Sequence, residues 1–361
     1  MGKLRAGIIG VGGMGVCHLK GYLEHPDVEV AAVADLREER RAMLAKDFPA
    51  FRGNFYTDWR EMLRKEKFDI VSVVVPNRLH REMTVAALEA GANVLCEKPM
   101  AMSTAEAQEM LETAKRCGRK LGIDFSYRFN PQSRAMKALV DTGALGDIYY
   151  ARTVWLRRRG IPGLAAANFN TGNCATDRSW FYHKSESGGG PLIDLGVHRL
   201  DLALWLMGYP EPAYVMGSTY CKLAPELAKK HHADYTVEDF ACAMIKFKNG
   251  ATLELDASWA SNIRENEQMS TRLIGGKGGL YHFNLNETYT YDVEFYHEAD
   301  GRQYDTKLHI PCPEAPSAFH LFVEAVRDDT PFLVQPEEGV TVMRLLDAIY
   351  ESSRTGRPVV F

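Results

Sequence analysis

Several protein classes are excluded by what this sequence lacks. Its seven cysteines are scattered, with no CxxC pair. That argues against a zinc ribbon or a disulfide framework and fits a reducing cytoplasm. No apolar run approaches the ~20 residues needed to cross a bilayer. The opening MGKLRAGIIG is a single apolar strand, too short for a signal-peptide core with its cleavage site. Ala6 stands where a myristoylation pattern starting at Gly2 asks for Ser or Thr. A cytoplasmic protein without membrane attachment is expected. Basic charge is thin: the formal net charge is -4, and the densest cluster is Arg157-Arg158-Arg159. That cluster is too short to track a phosphate backbone, so nucleic acid is not an expected partner. His231 and His232 are adjacent and follow two lysines. In a helix they would diverge by about 100°, which reads as a solvated face rather than a metal site.

What is present is a chain of 361 residues, 46% hydrophobic and 25% charged. This suits a soluble globular protein of two domains. In the first third, short apolar β-rich runs alternate with helical periodicity. LRAGII, VEVAAVAD, FDIVSVVVP and ANVLCEKP read as strands, and residues 14–25, 37–47, 79–90 and 104–117 as helices. That rhythm predicts a doubly wound parallel sheet of the Rossmann kind. Gly10, Gly12 and Gly15 complete G-x-G-x-x-G after the first strand and at the start of the first helix. Their expected roles are a tight turn, close approach of the backbone to a pyrophosphate, and helix–strand packing. Asp35 ends the second strand, 20 residues after Gly15. A carboxylate there accepts from ribose hydroxyls and repels a 2′-phosphate, favouring NAD over NADP. Arg37, Arg40 and Arg41 follow closely and would favour the phosphate.

Further on, residues 188–201 read GGGPLIDLGVHRLD. Pro191 suits a first helical turn. If the segment is helical, the four-residue step sets Asp194 and His198 on one face, with Asp201 a further turn along and more suited to structure than to chemistry.

The motifs VVVPNRLH, CEKPM and GGGPLIDLGVH, in this order, resemble the Gfo/Idh/MocA family of sugar and inositol dehydrogenases over essentially the whole chain. The resemblance implies an NAD-binding Rossmann domain at 1–125. It also implies a substrate-binding α/β domain at 126–361, whose large, mostly antiparallel sheet often joins subunits of a homo-oligomer. The strand-like segments after residue 147, and a hairpin signal at Asn249-Gly250, agree in outline. The resemblance places the catalytic lysine at Lys98, with Asp194 and His198 beside it in the site. Imidazole is suited to take a hydroxyl proton, Lys98 to stabilise the alkoxide, and Asp194 to orient the imidazole or bind a neighbouring hydroxyl.

By the same resemblance, cofactor contacts fall on Gly10, Gly12, Gly13, Met14, Gly15, Asp35, Leu36, Arg37, Val75, Pro76, Asn77, His80, Glu97, Lys98 and Arg128. Substrate contacts fall on Lys98, Tyr127, Arg158, Trp180, Asp194 and His198, and no metal is expected. Packing is the alternative for Tyr127, Arg128 and Trp180. A long loop spanning 157–180 is expected over the active site. The expected reaction is NAD-dependent oxidation of a sugar, glycoside or cyclic polyol at a ring hydroxyl. Redox-neutral glycoside hydrolysis and cofactor sensing remain as alternatives.

Overall fold

The computed structural model of the chain describes residues 2–164, 178–310 and 316–361. Its contacts divide it into two units, one of residues 2–124 and 316–343, the other of 125–164, 178–310 and 344–361.

The first unit is built on β1 (Leu4–Ile9), β2 (Val28–Ala34), β3 (Asn54–Tyr56), β4 (Ile70–Val73), β5 (Asn93–Glu97) and β6 (Leu121–Asp124). All are parallel, in the order β3-β2-β1-β4-β5-β6. β4 reads IVSV and is buried throughout, the continuous apolar pattern of a parallel strand covered on both faces. The order reverses between β1 and β4, and ligands of such sheets bind at that switch point, beyond the carboxyl ends of the strands. Gly10, Asp35, Val75–Asn77 and Lys98 all lie at those ends. The helices Gly13–Glu24, Glu39–Asp47, His80–Glu89 and Thr104–Cys117 fall where the periodicity expects them; Trp59–Lys65 had no expectation.

The domain reading from chain order needs one correction, because residues 316–343 return to the first unit. There the helix Ala318–Arg327 sets the Phe319 ring 5.0 Å from His18 and 6.2 Å from Tyr22. A Cβ on Gly21 would collide with that ring. Arg327 pairs with Asp27 at 2.7 Å, and Lys120 with Asp329 at 2.8 Å.

The second unit carries β7 (Ile148–Arg157), β8 (Pro212–Tyr220), β9 (Phe240–Phe247), β10 (Thr252–Ser258), β11 (Glu267–Gly275), β12 (Gly278–Asn284), β13 (Tyr291–Ala299), β14 (Arg302–Lys307) and β15 (Val359–Val360). They form one sheet in the order β14-β13-β12-β11-β7-β10-β9-β8-β15. Only β7 and β10 pair in parallel. The Asn249-Gly250 hairpin joins β9 to β10, with Gly250 at φ +91° where a left-handed residue is required. The segment MSTRLIGGKGGLYHF is two strands, β11 and β12, folded back at Gly276-Lys277. None of the helices among the described residues is long and apolar enough to cross a membrane.

Candidate active site

The candidate dinucleotide site lies in the first unit. Gly10 has φ +90°, and a Cβ there would strike the Val74 carbonyl oxygen; one on Gly15 would strike the Gly10 carbonyl oxygen. Only glycine fits either place. The helix Gly13–Glu24 begins with no side-chain cap and no acid in its first turn. Its N–H groups and positive dipole end therefore suit a pyrophosphate. Asp35 is 8% exposed. One carboxylate oxygen accepts from the Val11 N–H at 3.1 Å; the other accepts from the backbone and side chain of Arg37 at 3.0 and 3.2 Å. Asp35 thus ties the glycine loop to the end of β2. Met14 and Leu36 are exposed apolar side chains flanking this loop. These features fit NAD. Asp35→Ser is expected to raise NADPH affinity relative to NADH by about tenfold, roughly 1.4 kcal/mol, in calorimetric titrations of the two cofactors. Wild-type protein that binds NADPH as tightly as NADH would contradict the assignment.

Beyond β4, the turn Asn77–Leu79 leads into the helix headed by His80. His80 is 1% exposed. Its ring nitrogens lie 2.7 Å from the Pro99 carbonyl and 2.8 Å from the Val75 carbonyl. Burial lowers its pKa, and the two carbonyl contacts work against that shift. His80 is therefore a brace between two turns, with both ring nitrogens engaged by backbone carbonyls. Glu97 ends β5, and its carboxylate accepts from the Lys98 N–H at 3.2 Å. Burial opposes ionisation of Glu97. The His18 hydrogen bond and the charges of His18, Lys98 and His80 outweigh it and hold its pKa below the ordinary value. Between Val94 and Ala101, Lys98 alone is partly exposed.

The second unit positions Asp194 and His198. The chain enters through Gly188 at φ +83°, and the next two glycines answer to neighbours distant in sequence. A Cβ on Gly189 would strike the Tyr350 hydroxyl, and one on Gly190 the Glu238 carbonyl oxygen. These glycines make room for Tyr350 and Glu238. Glu238 is 8% exposed and accepts from the Gly190 N–H at 2.9 Å, the Leu192 N–H at 3.1 Å and the Tyr350 hydroxyl at 2.9 Å. A carboxylate 46 residues downstream thereby satisfies the helix start, which no local side chain caps.

The segment Leu192–Gly196 is a π-helical turn that passes into the α-helix Val197–Met207. Such turns widen a helix locally and are frequent at functional sites. From Pro191 to Leu206 every residue is buried except Asp194 and His198. Asp194 accepts from the Trp259 indole N–H at 3.0 Å. The His198 ring packs against Tyr127 and Trp155, with centroids at 5.4 and 5.7 Å. Tyr127 is 7% exposed, and its hydroxyl lies 2.6 Å from that of Tyr291. Burial pushes the Tyr127 pKa up. Trp180 stacks on Phe181, which meets Trp259 edge-on.

Two expected site residues have distinct settings in this unit. Arg158, expected to meet substrate, is exposed, whereas its neighbour Arg157 is 3% exposed. Side chains alternate across a strand, so Arg157 shares a face with Trp155, and both donate to Glu267, at 2.8 and 2.7 Å. The Asp194 charge also acts on Arg157. Period-two spacing from Trp155 was the signal that favoured Arg157; Glu238, Trp259 and Glu267 had none. Arg128, expected at the cofactor, is 0% exposed and donates to Asp201 through Nε at 2.9 Å and Nη2 at 2.6 Å. Tyr209 completes this knot, donating to Asp201 at 2.7 Å. Part of the long loop expected over the site, residues 165–177, lies outside the described residues.

Comparison with known proteins identifies the family. Residues 4–125 match the model of an oxidoreductase family with an NAD-binding Rossmann fold, and residues 133–281 match the GFO/IDH/MocA C-terminal domain. The chain is 33% identical over 362 residues to D-glucoside 3-dehydrogenase of Escherichia coli K12, covering 99% of this chain and 97% of that protein. It is 29% identical to levoglucosan dehydrogenase of Pseudarthrobacter phenanthrenivorans, covering 85% of this chain and 80% of that one. The crystal structure of GenD2 from gentamicin A biosynthesis in complex with NAD superposes with a TM-score of 0.78 at 27% identity, covering 100% of this chain and 97% of that one. With its glycine loop, its partly exposed lysine after β5, its Asp194–His198 pair and both family domains in place, the chain belongs to the Gfo/Idh/MocA family of oxidoreductases.

Proposed function

We propose that the protein is an NAD-dependent dehydrogenase that oxidises a secondary ring hydroxyl of a glycoside, with C3 of a D-glucoside as the favoured position. The observation that carries this reading is the exposure pattern. Lys98 alone is partly exposed within 94–101, and Asp194 and His198 alone within 191–206. Otherwise buried segments thus each present ionisable groups, which are the groups that removal of a hydroxyl proton requires.

In this reading His198 takes the hydroxyl proton, and its ring is held in place by Tyr127 and Trp155. Asp194, anchored by Trp259, orients the imidazole or binds a neighbouring hydroxyl. Lys98 stabilises the negative charge that develops on the oxygen. Bound NAD+ supplies the hydride acceptor. Arg158 and Trp180 face the sugar in this reading, whereas Tyr127 and Arg157 are buried and hold the site's shape. The relationship to D-glucoside 3-dehydrogenase supports a glycoside over a free inositol. Met216 and Met244, register partners on β8 and β9, are 39% and 38% exposed, which supports a homo-oligomer formed through this sheet. Cys17, Cys96, Cys117, Cys221 and Cys242 are free thiols, which supports a cytoplasmic location.

The test is a panel of methyl glucosides, free hexoses and inositols with NAD+, reading NADH absorbance and product mass separately. A ketoglycoside lighter by two hydrogens, formed with equimolar NADH, is expected. Aglycone release without net NADH would replace the reading with redox-neutral hydrolysis. His198→Asn is expected to lower kcat by about 10²–10⁴-fold and to leave NAD binding nearly unchanged. It should also abolish the rise of the oxidation rate with pH, because the amide cannot take up a proton. A His198→Asn variant that keeps the wild-type pH profile would remove His198 from proton transfer.

A further inference from the structure

Behind Lys98 lies a buried cluster that the reaction as described does not use. The β5–β6 register makes Glu97 and Asp124 cross-strand partners, so both side chains leave the same face of the parallel sheet, about 4.8 Å apart. They are 8% and 4% exposed. Like charges set side by side on a sheet repel, and in a dry interior two neighbouring carboxylates do not both ionise cheaply.

Facing them from the helix Gly13–Glu24 is His18, which is 0% exposed. Its Nε2 lies 3.1 Å from Glu97 Oε1 and 3.6 Å from Asp124 Oδ2. Its Nδ1 meets Ser72 Oγ at 3.0 Å, and that hydroxyl meets the Tyr22 hydroxyl at 2.7 Å. The two carboxyls are not equally supported. Glu97 has the closer imidazole contact and the Lys98 N–H. Asp124 Oδ1 is buried and has no hydrogen-bond partner among the described residues, which is tolerable on a neutral acid and costly on an anion.

Lys98 and His80 also act on the pair, and burial, then the pair in turn, raise the pKa values of the neighbouring Cys17, Cys96 and Tyr22. The helix Ala318–Arg327 contributes only the uncharged Phe319 to this cluster; its His320, Glu324 and Arg327 act on His25 instead.

We propose that His18, Glu97 and Asp124 are positioning residues for Lys98, and that the cluster holds a single negative charge on Glu97 by keeping a proton on Asp124. Glu97 carries its charge against the Lys98 N–H, so the imidazole–carboxylate contact sets where the lysine leaves the strand. Loss of the Asp124 proton puts a second negative charge beside Glu97, pulls His18 between two anions and displaces the turn. Burial, then the Glu97 charge, push the Asp124 pKa up to about 7, so the device works on the acid side of that value and loosens above it. The inference rests on the reading of Lys98 as the residue that acts on the substrate hydroxyl.

Two measurements on the NAD-loaded protein test it. The first is an infrared titration with ¹³C-labelled aspartate, which detects a protonated buried carboxyl directly and needs no variant. One such band should disappear around pH 7 in wild-type protein and be missing at every pH in Asp124→Asn. A carboxyl that titrates in the ordinary range, near about 4, would overturn the proposal. So would a stoichiometric divalent cation in purified protein, since the ion would take the place of the proton. The second is kcat against pH with a methyl glucoside that the panel shows to be a substrate. Wild type should lose kcat on the alkaline side through one ionisation with little change in KM, and Asp124→Asn should lack that ionisation. Identical profiles would reduce the cluster to packing and overturn the positioning role. If Lys98→Ala remains active, the reading of Lys98 fails on its own, whatever the infrared titration finds.

Discussion

Lys98→Ala is expected to lower kcat about 10³-fold, or ~4 kcal/mol of transition-state stabilisation, while NAD affinity stays within a few-fold. The ammonium follows β5 at the carboxyl edge of the parallel sheet, and Lys98 is the one residue from Val94 to Ala101 that is not buried. Its own backbone N–H is held by Glu97, so the stem starts from a fixed place. A positive charge set in advance beside the reacting oxygen contributes more as that oxygen becomes an alkoxide than it does to the neutral alcohol. The loss should therefore appear in kcat more than in KM. Isothermal titration with NAD+ separates this from a damaged fold, because the glycine loop and Asp35 do not depend on the Lys98 side chain. Turnover within tenfold of wild type would show that Lys98 is not catalytic.

Asp201→Ala should destabilise the protein by about 3–5 kcal/mol, because it leaves the Arg128 guanidinium buried without its anion. Both side chains are 0% exposed, and Arg128 reaches the carboxylate through two nitrogens. Tyr209 is held at φ +53° just after Gly208, and its hydroxyl both accepts from Arg128 at 2.6 Å and donates to Asp201 at 2.7 Å. Deleting the acid removes the Arg128 and Tyr209 contacts to the carboxylate and leaves only their bond to each other. Guanidinium denaturation with a shared slope measures the effect, and a loss below 1 kcal/mol would refute the structural role. The double change Arg128→Met with Asp201→Leu should recover most of the stability, since removing both charges also removes their desolvation cost. That recovery would separate a structural ion pair from a cofactor contact.

Much of the candidate dinucleotide site is legible in the sequence. G-x-G-x-x-G, the acid at residue 35 and the Glu-Lys-Pro step each follow a strand of the expected apolar pattern. Their functions depend on backbone geometry within a few residues, and such short-range requirements are written locally. The same holds for Asn249-Gly250, where a left-handed turn calls for glycine. It holds in part for Asp194 and His198: their four-residue step is local, but the π-turn at Leu192–Gly196 is not, because the distant side chains of Glu238 and Tyr350 close around Gly189 and Gly190.

What the tertiary structure alone decided are the partners. A one-residue step along β7 exchanges the two faces of the sheet, so Arg157 rather than its neighbour Arg158 joins Trp155 and Glu267. Arg128 and His80 have the look of cofactor ligands in a linear reading, and their places in a buried ion pair and a brace are set only once Asp201, Pro99 and Val75 are brought to them. Residues 316–343 rejoin the first unit because Phe319 fills the space that Gly21 leaves open. Likewise, Glu97 and Asp124 come to share one imidazole only when β6 pairs with β5. Spacing along the chain fixes which way neighbouring side chains point, whereas contacts between residues tens to hundreds of positions apart are set by strand register and packing, which no local pattern specifies.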